Sequence, residues 1–107
     1  MPGKITSHGA VRTYSAAEDF SVAFDAAKRG TILGVPSGGS TGQPLMIDLP
    51  GGGSAGICTK RDTYPDGREF VGVGVQPHVV VRTTVEDVRA GRDPVLERAL
   101  LEMRKPR

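Results

Sequence analysis

The chain has 107 residues, a formal charge of +2 at neutral pH and 24% charged residues. That length holds one domain at most, burying roughly two-thirds of its unfolded surface. Three Phe, two Tyr and no Trp give a thin core, and so mild a charge excludes the basic footprint of a nucleic-acid binder.

The first ten residues, "MPGKITSHGA", show no period, and residues 1–12 are expected to be irregular. From Ser15 the pattern changes. "SAAE" reads as a capping box with Ser15 as N-cap and Glu18 at N3, and Phe20, Ala23, Phe24 and Ala27 make one apolar stripe of a helix. Lys28 and Arg29 suit its last turn and Gly30 its C-cap. "TILGV" at 31–35 reads as a short buried strand and 36–42 as a loop. Leu45, Ile47 and Leu49 alternate with Met46 and Asp48, and Ala55, Ile57 and Thr59 alternate with Gly56, Cys58 and Lys60. These are two strands joined by "PGGG". "YPDG" at 64–67 is a turn. "REFVGVGV" and "VVVRT" read as strands interrupted by Gln76 and Pro77. "TVEDVRAG" is a short helix closed by Gly91, and Asp93 with Pro94 opens a last helix carrying Val95, Leu96, Ala99, Leu100 and Met103. The class is mixed α and β (α+β): a helix, a mostly antiparallel β region and two C-terminal helices. The sequential strands favour hairpins over strict βαβ units.

The pattern G-x-S-x-G, shorthand for a hydrolase nucleophile elbow, occurs at Ser40 and at Ser54. The elbow needs a strand, a strained turn and then a helix, whereas both serines lead into strands, so both read as loop residues. Neither glycine cluster is followed by the Lys and Ser/Thr of a phosphate-binding loop. Cys58 is the only cysteine, which excludes an intramolecular disulfide, and no Cys or His lies near it at ligand spacing. No metal set or cofactor motif is recognisable. No apolar run approaches membrane-spanning length and the N-terminus lacks a signal-peptide core. The expectation is a cytoplasmic chain with no membrane or nucleic-acid partner, export of a longer parent being a separate matter. Arg104, Lys105 and Arg107 read as a solvated tail.

The stretch "TYSAAEDFSVAFDAAKRGTILGVPSGGSTGQPL", followed by "DGREFVGVGVQPHVVV" and "DPVLERAL", resembles the serine peptidases of family S41, which include C-terminal processing proteases, tricorn core proteases and interphotoreceptor retinoid-binding protein. The resemblance runs over about residues 11–101 and assigns 13–107 to a C-terminal half of a ClpP/crotonase-like catalytic domain. In that family a serine inside S-A-x-E opens a helix and attacks the peptide, which puts the nucleophile at Ser15. Free N–H groups and the positive end of the helix dipole favour a developing oxyanion there, with the Ala16 N–H as one donor. From the residues alone, a capping box accounts equally for Ser15 and Glu18.

A serine hydroxyl also needs a base. The processing proteases use a lysine in G-K-G, whose slot here is Gly39-Ser40-Thr41, without the lysine. The tricorn branch uses an upstream histidine that this chain does not contain. Of the two histidines, His8 precedes Ser15 in the irregular segment, and His78 takes the Asp slot of the family's G-[VI]-x-P-D segment and reads as a surface turn residue. A glutamate that orients the machinery in tricorn-type enzymes falls at Val71, leaving Glu69, two residues earlier on the same expected strand face, as substitute. The resemblance thus implies a serine-type peptidase acting through an acyl-enzyme on Ser15, with Ala16 and Glu69 in support and a peptide or protein as substrate. As an incomplete domain it is expected to be inactive alone. The competing reading is a non-catalytic interaction module that self-associates, most simply as a dimer covering orphaned strand edges. Alternatively, residues 1–12 fold back as a substitute strand and keep the chain monomeric.

Overall fold

The computed structural model describes residues 5–106. Strand β1 (Thr6–Gly9), helix α1 (Ala16–Ala26) and strand β2 (Thr31–Gly34) form a βαβ unit. β1 and β2 are parallel, with Thr6 opposite Thr31 and Gly9 opposite Gly34. Further along the chain come β3 (Pro44–Leu49), β4 (Gly53–Cys58), β5 (Val79–Val80), α2 (Val85–Arg89) and α3 (Pro94–Arg104). β5 joins the other side of β2, also in parallel, giving the order β1-β2-β5. β3 and β4 make a separate antiparallel ribbon.

The mixed α and β class stands, but the main sheet is parallel and its first crossover is a βαβ unit rather than a hairpin. The reason is β1. Thr6, Ser7 and His8 have no apolar alternation, so the strand is invisible to pattern and exists because it pairs with β2, the most covered strand of the molecule. β1 also occupies residues expected to be irregular. Ile32 and Leu33 on β2 are 2% and 1% exposed, burial that stabilises by about 1.5–3 kcal/mol per side chain. Val22, Phe24, Tyr64, Phe70 and Val75 cluster with Ile32, Tyr64 and Phe70 edge to face at 6.0 Å between ring centres, and Val95 on α3 is buried as well.

Helix α1 is present but turned relative to the expected stripe. Glu18, Ser21, Val22 and Phe24 are its buried residues, while Phe20 is 62% exposed. Hydrophobicity alone misassigned the face, because the inward side carries a buried carboxylate and a hydroxyl. The helix also stops early. The N–H of Arg29 bonds the carbonyl of Phe24 and that of Lys28 the carbonyl of Asp25, with Lys28 at φ 50: a Schellman closure on Lys28 rather than on Gly30. Gly30 has a different task. A Cβ there would fall 2.0 Å from the Ile5 carbonyl oxygen, so glycine permits the chain to start β2 alongside β1.

"REFVGVGV" does not form the expected strand. Thr63 and Glu69 make one isolated antiparallel bridge, and the chain then turns, the N–H of Gly74 bonding the carbonyl of Phe70 at 2.7 Å. The YPDG turn is as expected, closed by the Gly67 N–H on the Tyr64 carbonyl at 2.9 Å. At the C-terminal end Thr84 and Asp87 form a reciprocal capping box on α2, and Asp93 caps α3 through the N–H groups of Val95 and Leu96 with Pro94 in the first turn. α3 packs on β1 and β2.

Candidate active site at the start of the first helix

Ser15 immediately precedes α1, at φ 52 and ψ −123. A residue with a Cβ visits that region at a cost of about 1–3 kcal/mol. The expected capping box is not formed: the Ser15 side chain makes no cap hydrogen bond, and its own N–H goes to the carbonyl of Ser40 at 2.9 Å. The hydroxyl is therefore presented outward, at a strained turn that leads straight into a helix. The strained turn and the helix after it are two of the three parts of an elbow, at a serine outside the G-x-S-x-G shorthand, and the strand before it, β1, ends at Gly9. Ser40 sits in a loop and Ser54 inside β4, and neither opens a helix. Among the described residues the Ala16 N–H has no hydrogen-bond partner, and it stands at the positive end of α1.

Glu18 accounts for the missing cap. Fully buried, it turns away from Ser15 and accepts from the Ser37 hydroxyl at 2.5 Å, the Gly39 N–H at 2.6 Å and the Ser40 N–H at 2.8 Å. Ser37 Oγ in turn accepts from the Val75 N–H at 2.7 Å. One carboxylate thus ties together "SAAE", the "VPSGGS" loop and "GVQPH". The loop fits because it carries glycines: Gly39 lies at φ 68, where a Cβ would come within 2.8 Å of the Gly74 nitrogen. Sequence reasoning missed this role of Glu18, since a Glu three residues after a Ser before an apolar run is the capping-box signature itself. The available signal was the S-G-G-S loop, whose backbone N–H groups need an acceptor once buried.

The other candidates are not gathered at Ser15. Glu69 is an exposed residue whose carboxylate pairs with Arg61, with no described bond to Ser15. The bridge and turn around it replace the strand on which Glu69 and Val71 were expected to share a face. Both residues do line one shallow recess of about 370 Å³ with Ser40, Thr41 and Cys58. In that recess the Lys60 hydrogen bond to Asp62 holds the Asp62 carboxyl below its usual range. His8 lies on β1 with its ring against Gly34. His78 is more than a surface turn residue. Its Nδ1 accepts from the Ile32 N–H at 2.9 Å, and its Nε2 faces Asp25 at 3.2 Å, which also accepts from the Tyr64 hydroxyl at 2.7 Å. Burial first, and then that hydrogen bond, push the Tyr64 hydroxyl well above its ordinary pKa. Both nitrogens of His78 are thereby committed to structure. Among the described residues no group of His, Cys, Asp and Glu is arranged to hold a metal ion, and no helix is long and apolar enough to cross a membrane.

The model of peptidase family S41 matches residues 10–81, which include Ser15, Glu18, the Ser37–Ser40 loop and Val75. The chain belongs to peptidase family S41. No curated protein matches it. Among solved structures, this family S41 chain superposes on a protein from Parabacteroides merdae with a provisional peptidase assignment, at a TM-score of 0.84 and 25% identity over 95% of its own length. It superposes on the tricorn protease at 0.82 and 23% identity over 96%, a likeness of fold alone. Against the photosystem II D1 C-terminal processing protease the TM-score is 0.64, with 26% identity over 74%. The chain spans 32%, 11% and 20% of those three structures.

Proposed function

We propose that this family S41 chain carries the nucleophile of a serine-type peptidase at Ser15, and that the chain alone has little activity. In the proposed reaction Ser15 Oγ attacks the carbonyl carbon of a peptide bond and the Ala16 N–H binds the developing oxyanion; the C–N bond breaks, the amine leaves with the proton given up by the hydroxyl, and an acyl-enzyme forms, which water hydrolyses to a free carboxylic acid and the restored serine hydroxyl. Glu69, in the neighbouring recess, is assigned a supporting role. The observation that carries this reading is the strained Ser15 with an unengaged hydroxyl beside an unengaged Ala16 N–H. The expectation of low activity has a separate basis. No described residue hydrogen-bonds Ser15 Oγ, and both nitrogens of His78 are engaged elsewhere. General-base assistance contributes about 10²- to 10⁴-fold, and a second oxyanion donor about 10²- to 10³-fold.

A fluorophosphonate probe tests the reading. The expected result is slow labelling confined to the peptide containing Ser15, absent in Ser15→Ala, with no casein turnover by the purified chain. Absence of labelling at Ser15 points to the second reading, a self-associating module of cytoplasmic location without catalysis, and casein turnover abolished by Ser15→Ala refutes the inactivity of the isolated chain. That second reading is favoured by the apolar residues left exposed on α1 and on the β3–β4 ribbon.

A further inference from the structure

Glu18 is 0% exposed, a burial that a carboxylate tolerates only with its oxygens fully engaged. Its three bonds do more than satisfy it. Oε2 holds the Ser40 N–H at 2.8 Å, while the carbonyl of the same Ser40 accepts from the Ser15 N–H at 2.9 Å. Ser40 is thus gripped by both of its peptide groups, from Glu18 on one side and Ser15 on the other, three residues apart in the first turn of α1. A second bond, Gly38 N–H to the Thr13 carbonyl at 2.9 Å, secures the approach to the elbow from the same loop. A left-handed backbone at a serine persists only where its surroundings over-determine it, and here those surroundings are the Gly38–Ser40 loop. Through Oε1, shared by the Gly39 N–H and the Ser37 hydroxyl, Glu18 also fixes the loop to Val75.

We propose that Glu18 is a positioning residue: by holding Ser40 it keeps Ser15 in the strained conformation that bares the hydroxyl. This deepens, and rests on, the reading of Ser15 as nucleophile. Glu18 itself does not touch a substrate; it acts through the loop.

The test is made by nuclear magnetic resonance on the isotopically labelled full chain. Glu18→Gln conserves size, but whichever way the amide is turned its NH₂ confronts a backbone N–H, that of Ser40 or that of Gly39. The expected result is at least a tenfold loss of hydrogen-exchange protection at Gly39 or Ser40, together with movement of the Ser15 Cα and Cβ shifts toward those of an ordinary extended N-cap. The signals of β1, β2 and α3 should stay in place. Glu18→Asp, which draws the acceptor back by one methylene, should give the same changes in weaker form. Ser37→Ala removes a neighbour from the same buried cluster while leaving both bonds on Ser40, and should leave the Ser15 shifts where they are; general core damage would move them. Ser15 shifts unchanged in both Glu18 variants overturn the proposal, and so does retained protection at Gly39 and Ser40. A chain that unfolds in both variants also overturns it, because a positioning residue leaves the sheet assembled. None of these signals needs turnover, so labelling of Ser15 by a fluorophosphonate can fail while the positioning role stands, and the reverse.

Discussion

A serine that begins a helix ordinarily stabilises it by accepting a hydrogen bond from the N2 or N3 N–H. Ser15 makes no such bond, so its hydroxyl gives the helix nothing while its backbone costs about 1–3 kcal/mol. Thr84, at the start of α2, is the internal contrast, since it caps through its own hydroxyl and receives Asp87 in return. Urea denaturation should separate the two. Ser15→Ala is expected to change stability by less than about 0.5 kcal/mol, and Ser15→Gly to raise it by about 1 kcal/mol as the strain is relieved. Thr84→Ala should cost about 1 kcal/mol. A loss of 1 kcal/mol or more in Ser15→Ala would restore the capping box. The same contrast explains what the sequence could say about the site. Ser15 was found through the family's S-A-x-E segment, but its strain depends on the 38–40 loop, more than twenty residues away and brought near only by folding.

At the scale of elements, the apolar residues divide into those the fold covers and those it leaves bare. β2, for which orphaned edges were a possibility, is covered: β1 and β5 pair with its two edges and Ile32 and Leu33 are buried. The pairing of β1 realises the fold-back of the N-terminal segment for residues 6–9, while Met1 to Lys4 lie outside the described residues. What stays bare includes the β3–β4 ribbon, the outer side of α1, and Val85, Val88, Leu96, Leu100, Leu101 and Met103 on α2 and α3. The register places Leu45 opposite Ile57, Ile47 opposite Ala55 and Leu49 opposite Gly53, so one ribbon face is wholly apolar, and its four large side chains are 36–58% exposed. A two-stranded ribbon is marginal in water by itself, and contiguous apolar surface invites a partner. Self-association through these elements, over about 1,200 Å² or more, is the expected consequence. Light scattering at micromolar concentration should give twice the 11.3 kDa chain mass, and Ile47→Asp with Phe20→Asp should return the monomer. A clean monomer of the unaltered chain would reject the dimer.

For the whole molecule, the radius of gyration is 17.3 Å, against about 13 Å for a compact chain of this length. The accessible surface is 7620 Å², against about 5,700 Å² for a compact monomer of this mass. An extended body with a thin core agrees with a chain that spans no more than 32% of the S41-like structures it superposes on. Legibility followed the range of the interactions. The ribbon, α2, α3 and the 64–67 turn were readable because alternation, caps and turn residues are local. β1, the rotation of α1 and the turn after Phe70 were not, because each is decided by contacts with distant segments: β1 by β2, the α1 face by Ser37 and Gly39, and the turn by the bond from Gly72 to Gly39. Ser15 can serve as the nucleophile only if it is bared at the positive end of α1, and the Ser15→Cys variant in a Cys58→Ser background reads that directly. The rate of alkylation by iodoacetamide, followed against pH, reports the thiolate. The predicted midpoint lies at least about one unit below the ordinary thiol value of about 8.5; a midpoint at or above that value, or a thiol that does not react, would contradict the account.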